Sequence, residues 1–472
     1  MPTTLITNGT VVNADAAIRA DVLVRDGRIV ALGEPMDAGV ADQVVDATGL
    51  LVLPGGVDAH THLEYPVDGF STHTADDFHT GTVSAACGGT TTVIDFVKKE
   101  PDRSLYDTYL RRRDVAAGKA VIDVGLHAIV PPRAAQPDVL DDLRRLVAEG
   151  ATSWKFFMAY PGQMVADDEL LDGFELAREL DVLPMVHAEN GHMVAREVRR
   201  LVERGRTAES FHLRAHGHDS EAEAVHRAVV LADTVGTPLY VVHVSSAAAA
   251  DEISRARAAG SRVWGETCPQ YLVVAYEDYA DLGERAAAYV CSPPIRERAN
   301  QAGLWRMLVT GALSTVATDH AGFCLHQPDD LPPQKMRSPG YFPKVPNGVP
   351  GVEDRLMVLW QAGVASGLID PCRFVDLVAT RPAKLFGLFP RKGTVAVGAD
   401  ADLVVWDPAA DHVITAAGSH TRTDYNIYEG MRVTGRPVHV FSRGEHLVDG
   451  GGLRLDTPGR GTFLTRHLPY LG

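Results

Sequence analysis

The chain has 472 residues, with 45% apolar and 22% charged residues, enough for a large core and more than one domain. It carries 45 Lys+Arg against 61 Asp+Glu, a formal charge of −16, which disfavours a nucleic-acid partner. No apolar run approaches the ~20 residues that span a bilayer, so no membrane partner is expected.

Met1-Pro-Thr-Thr leads directly into a strand-like run, so no signal peptide is expected. The five cysteines are scattered without a CxxC pair, which suits a reducing cytoplasm. Ala20–Val24 and Arg28–Ala31 flank Asp26-Gly27, the signal of a tight hairpin. Leu403–Trp406, Val438–Phe441 and Leu447–Val448 repeat the pattern near the C-terminus, with Arg443-Gly444 as a turn. Both ends therefore predict short antiparallel strands, too few at either end to stand alone. One β-sandwich domain built from residues 1–53 and 391–472 is the economical reading.

Between them, eight apolar runs alternate with helical patterns: Leu50–Leu53, Thr90–Phe96, Ile122–Ile129, Thr152–Phe156, Val182–Val186, Leu239–Val242, Arg262–Glu266 and Thr315–Ala317. Leu170, Leu171, Phe174, Ala177 and Leu180 recur at helix spacing between the fourth and fifth. Strand–helix alternation implies parallel pairing, and eight units over residues 54–390 predict an α/β (β/α)8 TIM-like barrel. An open doubly wound sheet is the alternative, though no GxGxxG turn follows an early strand.

Unusual polar residues fall at the ends of these strands. His60 and His62 follow the first, Lys155 lies in the fourth, and His187, His243 and Asp319 end the fifth, sixth and eighth. The carboxyl ends of barrel strands converge where such folds build their sites. Residues i and i+2 of an extended chain point the same way, so His60 and His62 can share one ion. A single strand-end histidine is more often structural; four with an aspartate favour a metal centre. Lys155 reads in two ways. It is a lysine paired with a carboxylate, or a buried neutral amine able to add carbon dioxide and bridge cations as a carbamate.

Pro54-Gly-Gly-Val-Asp-Ala-His-Thr-His-Leu resembles the opening signature of the amidohydrolase superfamily. Lys155-Phe-Phe-Met-Ala-Tyr160, His187-Ala-Glu-Asn-Gly, Gly265-Glu-Thr-Cys-Pro-Gln-Tyr-Leu, Ser292-Pro-Pro-Ile-Arg and Pro346-Asn-Gly-Val-Pro-Gly-Val-Glu-Asp-Arg-Leu narrow the resemblance to the dihydropyrimidinase/hydantoinase family, as does Asn426-Ile-Tyr-Glu-Gly-Met. The resemblance implies two divalent metal ions, zinc first with manganese or cobalt as alternatives. His60, His62 and Asp319 would hold one, His187 and His243 the other, and Lys155 carboxylated by CO2 would bridge them. It further implies a metal-bridging hydroxide as nucleophile and Asp319 as general base and then acid. Tyr160 would donate to the oxyanion, and Ser292 and Asn347 would hold the ring amides. The substrate would be a 5,6-dihydropyrimidine or 5-substituted hydantoin, opened to an N-carbamoyl amino acid. A cytoplasmic homotetramer is the assembly implied. Allantoinase or dihydroorotase chemistry, and a non-catalytic relative, are the competing readings.

Leu63, Tyr65, Phe70 and Phe157 are expected to wall the pocket for the ring substituent. The first loop departs from the family's usual Pro-Phe-Gly-Gly stretch, and Pro161 stands where a lysine commonly follows the tyrosine. His212, His216 and His218 form a second cluster, expected in an exposed segment before a helix. His127 reads as a hydrogen-bonded lining residue, His320 as a support for the Asp319 carboxylate, and Glu189 and Asn190 as supports of the centre. The stretch from His320 to Pro350, with seven prolines, is expected to be an ordered wall of the site.

Overall fold

Thr90–Val97 reads Thr-Thr-Thr-Val-Ile-Asp-Phe-Val and is buried along its whole length, as a parallel strand covered on both faces must be. In the computed structural model, which describes residues 2–33, 35–67, 71–326, 330–331 and 334–471, it is the second strand of a parallel barrel. Among the described residues the eight barrel strands are β1 (Gly56–Thr61), β2 (Thr90–Val97), β3 (Asp123–Ile129), β4 (Ser153–Phe157), β5 (Leu183–His187), β6 (Leu239–Val241), β7 (Val263–Thr267) and β8 (Leu313–Val316). They pair in chain order with helices between them, including the expected helix at Asp167–Glu179. This is the (β/α)8 barrel rather than the open sheet.

The seam between β1 and β8 is closed by side chains more than by a ladder. The buried Arg355 guanidinium donates to Val57 O (3.0 Å) and Val316 O (3.1 Å), one carbonyl from each strand. Asp58 accepts from the Thr318 backbone N–H (3.1 Å) and hydroxyl (2.7 Å). A parallel bridge between Thr61 and His320 completes the closure.

The first barrel strand differs from the expected one. Leu51–Pro54 pairs antiparallel with Leu403–Trp406 in a seven-stranded sheet, and β1 begins only at Gly56. Apolar patterning favoured Leu50–Leu53, whereas β1 contains Asp58 and His60, whose burial depends on partners far along the chain. Among the described residues the seven-stranded sheet draws on both termini, and a four-stranded sheet is built from residues 4–46 alone. Val11, Val22, Ile29, Val52, Leu403 and Phe441 pack between them. Both hairpin signals hold: Arg25 pairs with Arg28 across Asp26 (φ 51°) and Gly27 (φ 77°). Ser442 pairs with Glu445 across Arg443 (φ 46°) and Gly444 (φ 76°), again the left-handed pair that a two-residue turn needs.

The C-terminal tail leaves these sheets and returns to the barrel. Val124 N donates to Thr462 O (3.0 Å), Leu464 N donates to Val124 O (2.8 Å), and Arg466 reaches Ser153 Oγ (2.7 Å). Among the described residues no helix is long and apolar enough to cross a membrane.

Lys392 joins the two regions. Its buried ammonium lies 2.6 Å from Asp123 on β3 and 2.6 Å and 3.0 Å from Asp402 and Asp400. Lys392→Met leaves three carboxylates around an apolar chain end. Chemical denaturation is expected to show a loss of about 3–5 kcal/mol, and a loss below about 1 kcal/mol would remove Lys392 from this role.

Candidate metal centre and active-site cavity

The carboxyl ends of the barrel strands bring six polar side chains into one buried cluster. His60 ends toward the centre from β1, Lys155 from β4, His187 from β5, and His62, His243 and Asp319 from the residues just beyond β1, β6 and β8. Asp319 Oδ1 lies 3.1 Å from His60 Nε2 and 3.2 Å from His62 Nε2. These three side chains form a group able to hold a metal ion. Lys155 Nζ is 3.0 Å from His60 Nε2, and His187 Nδ1 is 2.8 Å from His243 Nε2.

Two carboxylates behind the histidines fix which ring nitrogen faces inward. Glu266, at the end of β7, lies 2.6 Å from His60 Nδ1. It also accepts from the Tyr240 hydroxyl (2.8 Å) and the His243 backbone N–H (3.0 Å). Glu189 lies 2.9 Å from His187 Nε2. A carboxylate can only accept here, so His60 Nδ1 and His187 Nε2 carry protons, and His60 Nε2 and His187 Nδ1 point at the cluster.

The electrostatics follow from burial. It drives the His62 imidazole down to about 3 and the Lys155 ammonium down to about 8. His187 and His243 are likewise lowered, chiefly by burial. Burial alone would raise Asp319, but His60 and His62 outweigh it and hold the carboxyl well below its usual range. His60 runs the other way: burial and Lys155 oppose its protonation, yet Asp319 and Glu266 together raise it.

The backbone is strained at the same place. Tyr160 (φ 71°), His243 (φ 40°) and Asp319 (φ 51°) all occupy the left-handed region. Such conformations cost about 1–3 kcal/mol each and gather where a site over-determines the chain.

A cavity of about 540 Å3 opens above the cluster. The Tyr160 phenol stands in its wall together with Ser292 and Asn347, and burial raises it well above its ordinary value, so it stays protonated. Tyr65, Phe157, Val194, Val198, Phe323 and Phe342 give the cavity an apolar side. Phe323, Phe342 and Asn347 come from the described part of the proline-rich stretch, which contributes to a wall of the site.

Of the four residues expected around the substituent, Tyr65 and Phe157 reach the cavity. Leu63 does not: it is fully buried in the main core, with Gly81 packed so close that a Cβ there would meet Leu63 Cδ2 at 2.3 Å. Phe70 lies outside the described residues. His212 and His216 are buried and line the cavity, contrary to the expectation of an exposed segment. Glu189 accounts for one of them, lying 2.8 Å from His216 Nδ1, and the Cys291 carbonyl for the other, 2.8 Å from His212 Nε2. His320 supports Asp76 (3.2 Å) rather than the Asp319 carboxylate. His127 is hydrogen-bonded as expected, to Ser153 Oγ (2.5 Å) and Ala59 O (3.0 Å), but it is buried in the barrel interior against Phe96 and Phe386 and does not line the cavity. Glu266 was given no role on sequence grounds; its signal is a carboxylate at the end of a buried barrel strand.

The amidohydrolase family model matches residues 51–447. The D-hydantoinase of Geobacillus stearothermophilus is 45% identical over 469 residues, covering 98% of this chain and 96% of that protein. A D-hydantoinase of Streptomyces coelicolor is 46% identical over 450 residues, covering 94% of each. The crystal structure of dihydropyrimidinase from Brevibacillus agri NCHU1002 superposes with a TM-score of 0.94 at 41% identity, covering 99% of both chains. The chain therefore belongs to the amidohydrolase family, in the branch that holds the D-hydantoinases and dihydropyrimidinases.

Proposed function

We propose that this protein hydrolyses cyclic ureides, opening 5-substituted hydantoins or 5,6-dihydropyrimidines to N-carbamoyl amino acids. The observation that carries the reading is the convergence of four histidines, Lys155 and Asp319 beneath a half-apolar cavity whose wall presents a protonated tyrosine.

The donor set fits two divalent cations. His60, His62 and Asp319 would hold one, and His187 and His243 the other. Glu266 and Glu189 fix the tautomers that turn lone pairs toward these cations. Lys155, with its ammonium lowered by burial, is suited to lose its proton and add CO2. As a carbamate it would supply a further anionic oxygen ligand beside the histidines and Asp319. Zinc is the first candidate for such a nitrogen- and oxygen-rich set, with manganese or cobalt as alternatives. When bound, the cations supply acidification of water and polarisation of the ring carbonyl.

The remaining work falls to the chain. Asp319, kept ionised, takes the proton of the attacking water and delivers it to the leaving ring nitrogen. Tyr160 donates to the carbonyl oxygen as negative charge grows there. Ser292 and Asn347 hold the ring amides beside it. One C–N bond breaks, hydroxyl joins the acyl carbon, and the nitrogen gains the proton. Tyr65 and Phe157 take the apolar ring substituent. Residues 54–390 form the catalytic unit in this reading, and the segments before and after it the sandwich.

Mass spectrometry of the product tests the reaction type. The expected product of a 5-substituted hydantoin is the substrate plus one water with both nitrogens kept. Release of ammonia in the first step would mean that a different bond is cut. Glu266→Gln separates metal support from chemistry, because it loosens the His60 ring without removing a ligand. Metal affinity is expected to fall about 10–100-fold with the fold intact. Unchanged affinity in a chelator titration would leave Glu266 a purely structural residue.

A further inference from the structure

The hairpin of Arg432–Ser442 and Glu445–Asp449 carries a second group of ligand-type side chains, away from the barrel. His439 Nδ1 and His446 Nε2 stand 3.2 Å apart. Asp449 Oδ1 is 3.2 Å from His439 Nδ1 and 4.0 Å from His446 Nε2. A tetrahedral zinc ion with bonds of about 2.0–2.1 Å needs its ligand atoms about 3.3 Å apart. Two edges of the triangle already have that length. The third shortens by turning the Asp449 carboxylate, whose side chain is half exposed. The His446 ring has less freedom, since it stacks on Phe441 at 4.3 Å with 18° between the planes.

The protons of this triangle do not fit together without a cation. Arg454 Nη1 lies 2.8 Å from His446 Nδ1, and a guanidinium only donates. His446 Nδ1 therefore accepts, and the neutral ring carries its proton on Nε2. If His439 Nδ1 is also protonated, two N–H groups oppose each other. If it is not, its lone pair opposes Asp449 Oδ1. Double protonation of the rings is disfavoured as well, because burial lowers both imidazoles, His446 to about 4, against the partial opposition of Asp449.

We infer that His439, His446 and Asp449 form a metal site distinct from the barrel cluster, for Zn2+ or a similar borderline divalent cation, which fastens this hairpin near the edge of the seven-stranded sheet. A cation accepts all three lone pairs and removes the repulsive edge. Binding moves the His446 proton to Nδ1, so Arg454 must turn away. Its side chain is 46% exposed and free to do so. Arg454 is thus the built-in competitor of the ion: it donates to the ligand ring and lies 3.6 Å from the same carboxylate.

The test is a difference between proteins, so it holds whatever the barrel cluster binds. Wild type, His439→Gln, Asp449→Asn and Arg454→Ala are equilibrated with Zn2+ buffered in the micromolar range and analysed for zinc per chain. Wild type is expected to hold one equivalent more than His439→Gln, with equal ring-opening rates in the two. Asp449→Asn weakens this equivalent. Arg454→Ala tightens it by roughly fivefold, the factor for removing one like charge at a half-exposed site. Equal zinc content in wild type and His439→Gln overturns the site. So does an affinity unmoved by both Asp449→Asn and Arg454→Ala.

Discussion

Asp319→Asn is expected to lower kcat for a 5-substituted hydantoin by about a thousandfold or more while the protein stays folded. The substitution keeps the side chain's shape and removes its charge and its capacity to accept a proton. Both matter here. Asp319 faces His60 and His62 at 3.1 Å and 3.2 Å, and those imidazoles keep it ionised in a buried setting. Its side chain is still 12% exposed, so a proton can pass between it and a substrate in the cavity. Elemental analysis of the variant separates the two roles. Metal retained with turnover lost assigns the acid–base work to Asp319. A kcat near wild type removes it from that work.

Lys155→Ala has the second large effect, a loss of most bound metal together with about a thousandfold in kcat/KM. Lys155 is 1% exposed, with Phe96 and Phe157 around its amine, so alanine also opens a void. Lys155→Met controls for that, because it fills the space and cannot add CO2. Both variants are expected to behave alike, and neither should respond to bicarbonate. Metal-stripped wild type should recover faster with bicarbonate than without it. Full metal content in Lys155→Met rules out the bridging carbamate.

The strand-end placement of the site was legible because burial and chemistry conflict there. A histidine or aspartate closing an apolar strand stands out, and five such residues, with Lys155, share one end of one barrel. The two hairpins were legible because Asp26-Gly27 and Arg443-Gly444 need left-handed backbone. The first barrel strand was not. Asp58 and His60 break its apolar pattern, and what buries them comes from Thr318 and Glu266, more than 200 residues away. The burial of His212 had the same cause. Its partner is the carbonyl of Cys291, 79 positions on, while the nearby Asp219-Ser-Glu suggested a solvated loop. Leu63 follows His62 directly, yet its side chain turns into the core under Gly81. Position beside a ligand did not reveal direction.

The central claim, cation-dependent opening of a cyclic ureide, is tested most directly on one preparation in two states. Dihydrouracil, 5-phenylhydantoin, allantoin and dihydroorotate are assayed side by side with chelated protein, and again after remetallation in the presence of bicarbonate. The chelated protein is expected to show no turnover, and the remetallated protein to open dihydrouracil or phenylhydantoin. Turnover of allantoin or dihydroorotate alone, or a remetallated protein inert on all four, would contradict that claim.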